Sequence, residues 1–228
     1  MNSMAAAHAM PLLRPPGGTG SPAAAQHNGR LSNAPANKPK PMRLTPDAFL
    51  SNAMRNPVNA ALLARLRSLA LNDCFLAAGC LFQATWNLQS GQPADWGVKD
   101  YDVFYFDDRD LTWEAEDAVI ARVQKEVADL GVQVEVKNQA RVHLWYRQRF
   151  GADYPQLRAS RDGIDRYLVA CTCVGIDVAD GALYAPNGLD ELERGVLRMN
   201  PRMQQPALFQ RKAADYRARW PWLTVHAG

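Results

Sequence analysis

The chain has 228 residues, enough for one good core with a small helical addition, and at 47% hydrophobic and 21% charged it has the composition of an ordinary globular protein. Its formal charge of +3 is misleading: residues 1–43 hold five basic residues and no acid, leaving 21 basic against 23 acidic residues afterwards. A slightly acidic body excludes a protein that coats long nucleic acid, and no stretch approaches the ~20 apolar residues of a membrane helix.

Residues 1–43, rich in Ala, Pro, Gly, Asn and Ser, cannot bury enough surface to fold and are expected to be a disordered tail. They lack the continuous apolar core of a secretory signal. The folded domain is expected over 44–228, opening at Thr45-Pro46-Asp47, where Thr caps, Pro suits the first turn and Asp complements the helix dipole. A second helix follows Asn56-Pro57, with Leu62, Leu63, Leu66, Leu69 and Ala70 at helical spacing as a packing face. The next run, Leu71 to Asn87, is largely apolar with Gly79 at its centre. A turn at Gly79 that opened a helix would present free backbone N–H groups to an anion such as phosphate, although a glycine in an apolar helix is equally a packing contact.

Residues 91–97 form a loop leading to Lys99-Asp100-Tyr101-Asp102-Val103-Phe104-Tyr105-Phe106, whose aromatic and β-branched end reads as a strand buried on both faces. Asp100 and Asp102 share one side of that strand. Two readings of the pair stand: a divalent-cation site, since adjacent buried carboxylates repel unless a cation neutralises them, or charges at a solvated strand end. Thr112 or Asp110 is expected to cap a helix to about Leu130, with Val119, Val123, Val127 and Leu130 as its buried stripe and Glu114, Glu116 and Asp117 as dipole residues.

Gly131 stops that helix, and Val132-Gln133-Val134-Glu135-Val136-Lys137 then alternates as a strand. It is either half exposed with a polar outer face or, joined by a crossover helix, parallel to the first strand, which would bring Glu135 beside Asp100 and Asp102. Asn138 can cap a helix over Gln139 to Phe150. Within it His143 is expected to pack or to cap rather than to act as a base. Residues 167–176 read as an interior strand or a helix running into one, Leu183 to Gly188 as a strand and turn before a helix at Asp190, and Pro206 to Arg219 as a basic amphipathic helix stopped by Trp220-Pro221-Trp222. Cys74, Cys80, Cys171 and Cys173 lack zinc spacing and lie among apolar residues, as expected for reduced core thiols of a cytoplasmic protein.

The order Gly79-Cys80, then Asp100-x-Asp102 on a strand, then Glu135 on a later strand resembles the polymerase-beta-like nucleotidyltransferase superfamily. The words Trp86-Asn87, Asp110-Leu111, Trp113-Glu114, Val136-Lys137-Asn138-Gln139-Ala140-Arg141-Val142-His143-Leu144-Trp145-Tyr146 and Tyr184-Ala185-Pro186-Asn187-Gly188 resemble one bacterial branch of it, mostly nucleotidyltransferase family proteins of unknown substrate. The resemblance covers about residues 60–222. It implies an α/β (α+β) fold with a mixed sheet flanked by helices and a helical C-terminal part. It further implies transfer of a nucleoside monophosphate from a nucleoside triphosphate to an acceptor; the slightly acidic body points to a small molecule or protein in preference to RNA, and the lack of a long apolar stretch to no membrane.

Two magnesium ions, replaceable by manganese, would be held by Asp100, Asp102 and Glu135, and the Gly79-Cys80 backbone would cradle phosphate with positive charge from Lys99, Lys137 or Arg141. Two departures stand against the pattern: Cys80 replaces the usual serine, and the 21 residues from Gly79 to Asp100 exceed the spacing of many members. They keep a second reading in view, a catalytically silent nucleotide-binding or protein-interaction module on the same fold.

Overall fold

The computed structural model describes residues 43–226, so the expected tail lies outside the described residues except for Arg43. Side-chain caps set most of the helix starts on the N-terminal side of the fold. Thr45 Oγ1 accepts the Ala48 amide ahead of α1 (Pro46–Met54), and Asn56 Oδ1 accepts the Val58 amide ahead of α2 (Pro57–Leu69). Of the expected α2 face, Leu62 and Leu66 are buried, but Ala70 is the exposed left-handed residue that ends the helix.

A five-stranded sheet runs in the order β3, β2, β1, β4, β5, from β1 (Phe75–Ala77), β2 (Asp100–Tyr105), β3 (Gln133–Asn138), β4 (Gly175–Asp177) and β5 (Leu183–Tyr184). Between β1 and β2 lies α3 (Gly79–Gln89), and between β2 and β3 lies α4 (Trp113–Val127), capped by Thr112. A 3-10 turn then reaches Leu130. The α4 crossover lets β2 and β3 run parallel, while β1 pairs antiparallel with β2 and β4.

The two faces of the sheet differ. Tyr101, Val103 and Tyr105 join Leu76 in the main core with Leu62, Leu66, Leu81, Phe82, Trp86, Val123 and Val127. On the other face, Phe75, Ala77 and Phe104 form a smaller cluster with Cys173 and with Ile164 of α6 (Ser160–Ile164). The four cysteines are buried and unbridged.

Two expected elements change. Asn138 caps a 3-10 turn at Gln139–Arg141, accepting the Ala140 amide, and α5 proper runs Val142–Phe150. Residues 167–176 are mostly not strand: Ala170–Thr172 is a 3-10 turn in which Thr172 Oγ1 donates to the Val169 carbonyl, a local bond that competes with strand pairing.

After α7 (Asp190–Arg194), strands β6 (Val196–Leu197) and β7 (Thr224–Val225) bracket α8 (Pro206–Arg219) in a small parallel pair. Helix α8 buries Phe209, Ala213 and Tyr216. Trp220, fully buried, donates its indole N–H to Asn87 Oδ1 at 3.0 Å, and Asn87 Nδ2 donates to the Ala94 and Trp96 carbonyls, fixing the loop that leads to β2. Of Trp220 and Trp222, the first is core and the second stays 37% exposed.

Candidate active site

Register, rather than proximity in sequence, assembles the acids. In the β2–β3 ladder Asp102 lies opposite Glu135, Asp100 opposite Gln133 and Phe104 opposite Lys137, so Asp100, Asp102, Glu135 and Lys137 share one face. Glu135 therefore reaches the pair of aspartates, as the parallel reading of its strand expected. The Lys137 ammonium lies 2.7 Å from Glu135 Oε2 and 3.3 Å from Asp102 Oδ1, with its side chain only 8% exposed. It neutralises the acids rather than standing apart to meet a phosphate.

Asp100 keeps an excess of negative charge around it. Burial raises its carboxyl above the ordinary aspartate range and the charges of Asp102 and Glu135 add to that, while Lys212 and Lys137 oppose it. That is the electrostatic condition in which a carboxylate gains from a further cation, and the oxygen-only donors Asp100, Asp102 and Glu135 fit a hard divalent ion. Among the described residues no three His, Cys, Asp or Glu side chains already converge on one metal position. An incoming cation competes with Lys137 for Asp102.

Gly79 and Cys80 sit beside this face, because Ala77, opposite Asp102, ends β1 and α3 starts two residues later. The unusual backbone falls on Ala78, at φ 45° and ψ −105°, and not on Gly79. Such a conformation stores on the order of 1–3 kcal/mol of strain. At Gly79 a Cβ would stand 3.1 Å from Gln83 Nε2, a tight contact from which the Gln83 amide would have to shift. Leu81 and Phe82 donate their amides to the Ala78 carbonyl, which leaves the Gly79 and Cys80 amides at the start of α3 available to an anion. The Cys80 thiol donates to the Ala77 carbonyl at 3.8 Å, and burial, followed by Asp102 and Asp100, holds it well above the ordinary thiol range. It stays protonated and turned into the protein.

The remaining sequence candidates do not join the cluster. Lys99 is exposed in the loop before β2 and pairs with none of the three acids. Arg141 is 7% exposed and committed elsewhere: it pairs with Glu116, donates to the Leu111 carbonyl at 2.9 Å and lies over the Trp113 ring. Glu116, expected as a dipole residue, is buried and also accepts the Asn138 amide at 2.8 Å.

Two cations of α8 that the sequence did not single out, Lys212 and Arg219, are close enough to feel the charge of Asp100. Lys212, Tyr216 and Arg219 follow i, i+4, i+7 spacing and so form one stripe. Tyr216, and after it Asp100 and Asp102, hold the Lys212 ammonium above the ordinary lysine range against the opposing effect of burial. Arg219 donates to Gln83 Oε1 at 2.9 Å and to the Trp96 carbonyl at 3.1 Å, and stacks 4.2 Å from the Trp220 ring centre. The signal available in sequence was the pair of basic residues flanking the apolar face of α8, but only the fold brings them within electrostatic reach of Asp100.

No curated protein matches the chain. Among solved structures it is similar to one described as an NMR structure that reveals a CCA-adding enzyme head domain, at a TM-score of 0.65 and 25% identity over 82% of this chain and 99% of that one. The polymerase-beta-like fold that the family resemblance implied is thereby shown. A family model described as nucleotidyltransferase matches residues 64–225, a span that contains the glycine turn, all three acids and α8. The chain belongs to that nucleotidyltransferase family.

Proposed function

We propose that the protein transfers a nucleoside monophosphate from a nucleoside triphosphate to an acceptor hydroxyl, and that Asp100, Asp102 and Glu135 hold the magnesium ions of the reaction, for which manganese can substitute. The observation that carries this is the register that sets Glu135 beside Asp102 on the face bearing Asp100, next to the N-terminus of α3. Bound there, the ions would supply the positive charge that activates the acceptor oxygen and stabilises the leaving pyrophosphate. The chain's own residues do the rest. The first amides of α3 face the phosphates without needing the Cys80 side chain, and Gly79 keeps the backbone accessible beside Gln83. Lys137 holds Asp102 and Glu135 together until a cation takes its place.

The acceptor is a small molecule or a protein, because the body of the chain lacks the basic footprint of a long nucleic-acid binder. Four buried thiols and the lack, among the described residues, of a helix long and apolar enough to cross a membrane support a place in the cytoplasm. The Cys80 side chain, turned toward Ala77, favours one other reading, a module that binds the nucleotide without turning it over.

Calorimetry of triphosphate binding with and without magnesium, on the wild type and on Asp100→Ala/Asp102→Ala, tests the site. Magnesium-dependent binding that the double variant loses is the expected result, and pyrophosphate release on adding candidate acceptors separates the enzyme from the silent module. Binding that is absent, or indifferent to the double substitution, removes the metal site from the proposal.

A further inference from the structure

Tyr184, in a segment that the transfer reading leaves unused, leads to a second polar site. Its hydroxyl donates to Asp165 Oδ1 at 2.8 Å, and Arg202 pairs with the other oxygen of that carboxylate. Asp165 and Arg202 line a cavity of about 160 Å³ together with Arg158, Asp162 and Arg166. None of Asp100, Asp102, Glu135 and Lys137 borders it. The wall is held in place from behind. Ile164, fully buried, seats α6 in the smaller core cluster, and the Ser160 amide and hydroxyl both donate to Asp73 at 2.6 Å. Arg166 lies 5.5 Å from the ring centre of Tyr154, which packs 4.4 Å from Tyr146, and donates to the Arg202 carbonyl at 3.4 Å.

We propose that this cavity binds a phosphoryl group, free or as the head of a small phosphomonoester. The carboxylates in its wall are already engaged: Asp165 by Tyr184 and Arg202, and Asp162 Oδ2 by the Arg158 and Ala159 amides at 2.7 and 3.2 Å. The guanidinium groups of Arg158 and Arg166 form no ion pair among the described residues, so the cavity carries positive charge that the protein does not match. Its volume is below the roughly 300–1,000 Å³ that encloses a whole drug-sized ligand, so it takes a head group and leaves the rest of the molecule outside. One guanidinium fork satisfies both oxygens of a carboxylate; three arginines on one cavity fit a phosphoryl group, with three oxygens and up to two charges. Arg166, stacked on Tyr154, and Arg202, held by Asp165, are ordered in advance and lose less freedom when an anion arrives.

Glycerol 3-phosphate, inorganic phosphate and acetate are the probes, titrated by calorimetry at low salt with a chelator present, so that no metal at the acids takes part. The proteins are the wild type, Arg158→Gln, Arg166→Gln and, as a control for general surface charge, Arg55→Gln, an exposed arginine outside the cavity. The expected result is phosphoryl binding by the wild type, a loss of about tenfold in each cavity variant and at most about twofold in Arg55→Gln, and far weaker binding of acetate. Equal affinity for the two phosphoryl probes assigns the site to the free ion, and tighter binding of glycerol 3-phosphate assigns it to a phosphomonoester. No binding of either by the wild type, acetate bound as tightly, or cavity variants that lose no more than Arg55→Gln would overturn it. Arg158 is exposed and outside any ion pair, so its variant keeps the wild-type melting temperature and its loss of binding is not a loss of fold. Failure here leaves the transfer reading untouched, since none of its three acids lines the cavity.

Discussion

Lys137 illustrates how one residue sets the state of the site. Its ammonium lies between Asp102 and Glu135, whose side chains are 20% and 16% exposed, so the three charges are largely withdrawn from water. Removing one partner of such a group leaves the others buried and uncompensated, at a cost of about 3 kcal/mol. Lys137→Met is expected to melt several degrees below the wild type without magnesium, and to recover more on adding magnesium than the wild type gains. Thermal melts of both proteins, with the ion and with a chelator, check it. Equal magnesium shifts would mean that Lys137 does not share its position with the ion. Cys80 makes the complementary point: burial keeps its thiol protonated, so any phosphate contact at this turn comes from the backbone.

Among the secondary-structure elements, the pairing of β2 with β3 places Glu135, and the Glu116–Arg141 pair locks that arrangement. Glu116 on α4 accepts the Asn138 amide at the end of β3 and holds Arg141, which in turn reaches the Leu111 carbonyl ahead of α4. The crossover helix is thereby fastened to the strand it delivers. Glu116→Ala strands a buried guanidinium and a backbone amide, and is expected to destabilise the protein by about 3–5 kcal/mol. Glu116→Leu combined with Arg141→Met, which removes both charges, should recover part of that loss. Denaturant unfolding of the three proteins measures both effects. A loss below about 1 kcal/mol in the single variant would show the pair to behave as an exposed one.

Viewed as a whole, the molecule divides its sheet between two tasks: one face anchors the main core and the other carries the acids. The C-terminal segment belongs to both. Tyr216 and Trp220 pack edge-on against Phe82 and Trp86 of α3, while Lys212 and Arg219 on the same helix add positive charge that Asp100 feels. Trp220→Ala opens a cavity in the core and frees Asn87 from its indole partner, for an expected loss of about 3–5 kcal/mol and a fall in melting temperature of more than about 6 °C. Because Asn87 also holds the loop before β2, triphosphate binding by the surviving folded protein should weaken as well. A variant that melts lower but binds at full strength would separate the core from the site.

The sequence by itself determined the local structure and the chemical types. Thr45, Asn56, Thr112 and Asn138 cap where their side chains and the residues after them require, and the i, i+2 spacing of Asp100 and Asp102 puts both on one side of a strand. A buried valine alternation after a crossover helix was enough to suggest a parallel neighbour and hence a place for Glu135. The tertiary structure alone decided which cations serve the site. Lys99, Lys137, Arg141 and Lys212 carry the same charge in sequence, yet Lys99 is left in solvent, Lys137 is drawn between two carboxylates, Arg141 is buried against Glu116, and Lys212, more than a hundred residues along the chain, comes within electrostatic reach of the aspartates. The physical reason is that a charge's role depends on what lies within a few ångström of it once water is excluded, and that neighbourhood is set by packing between distant segments.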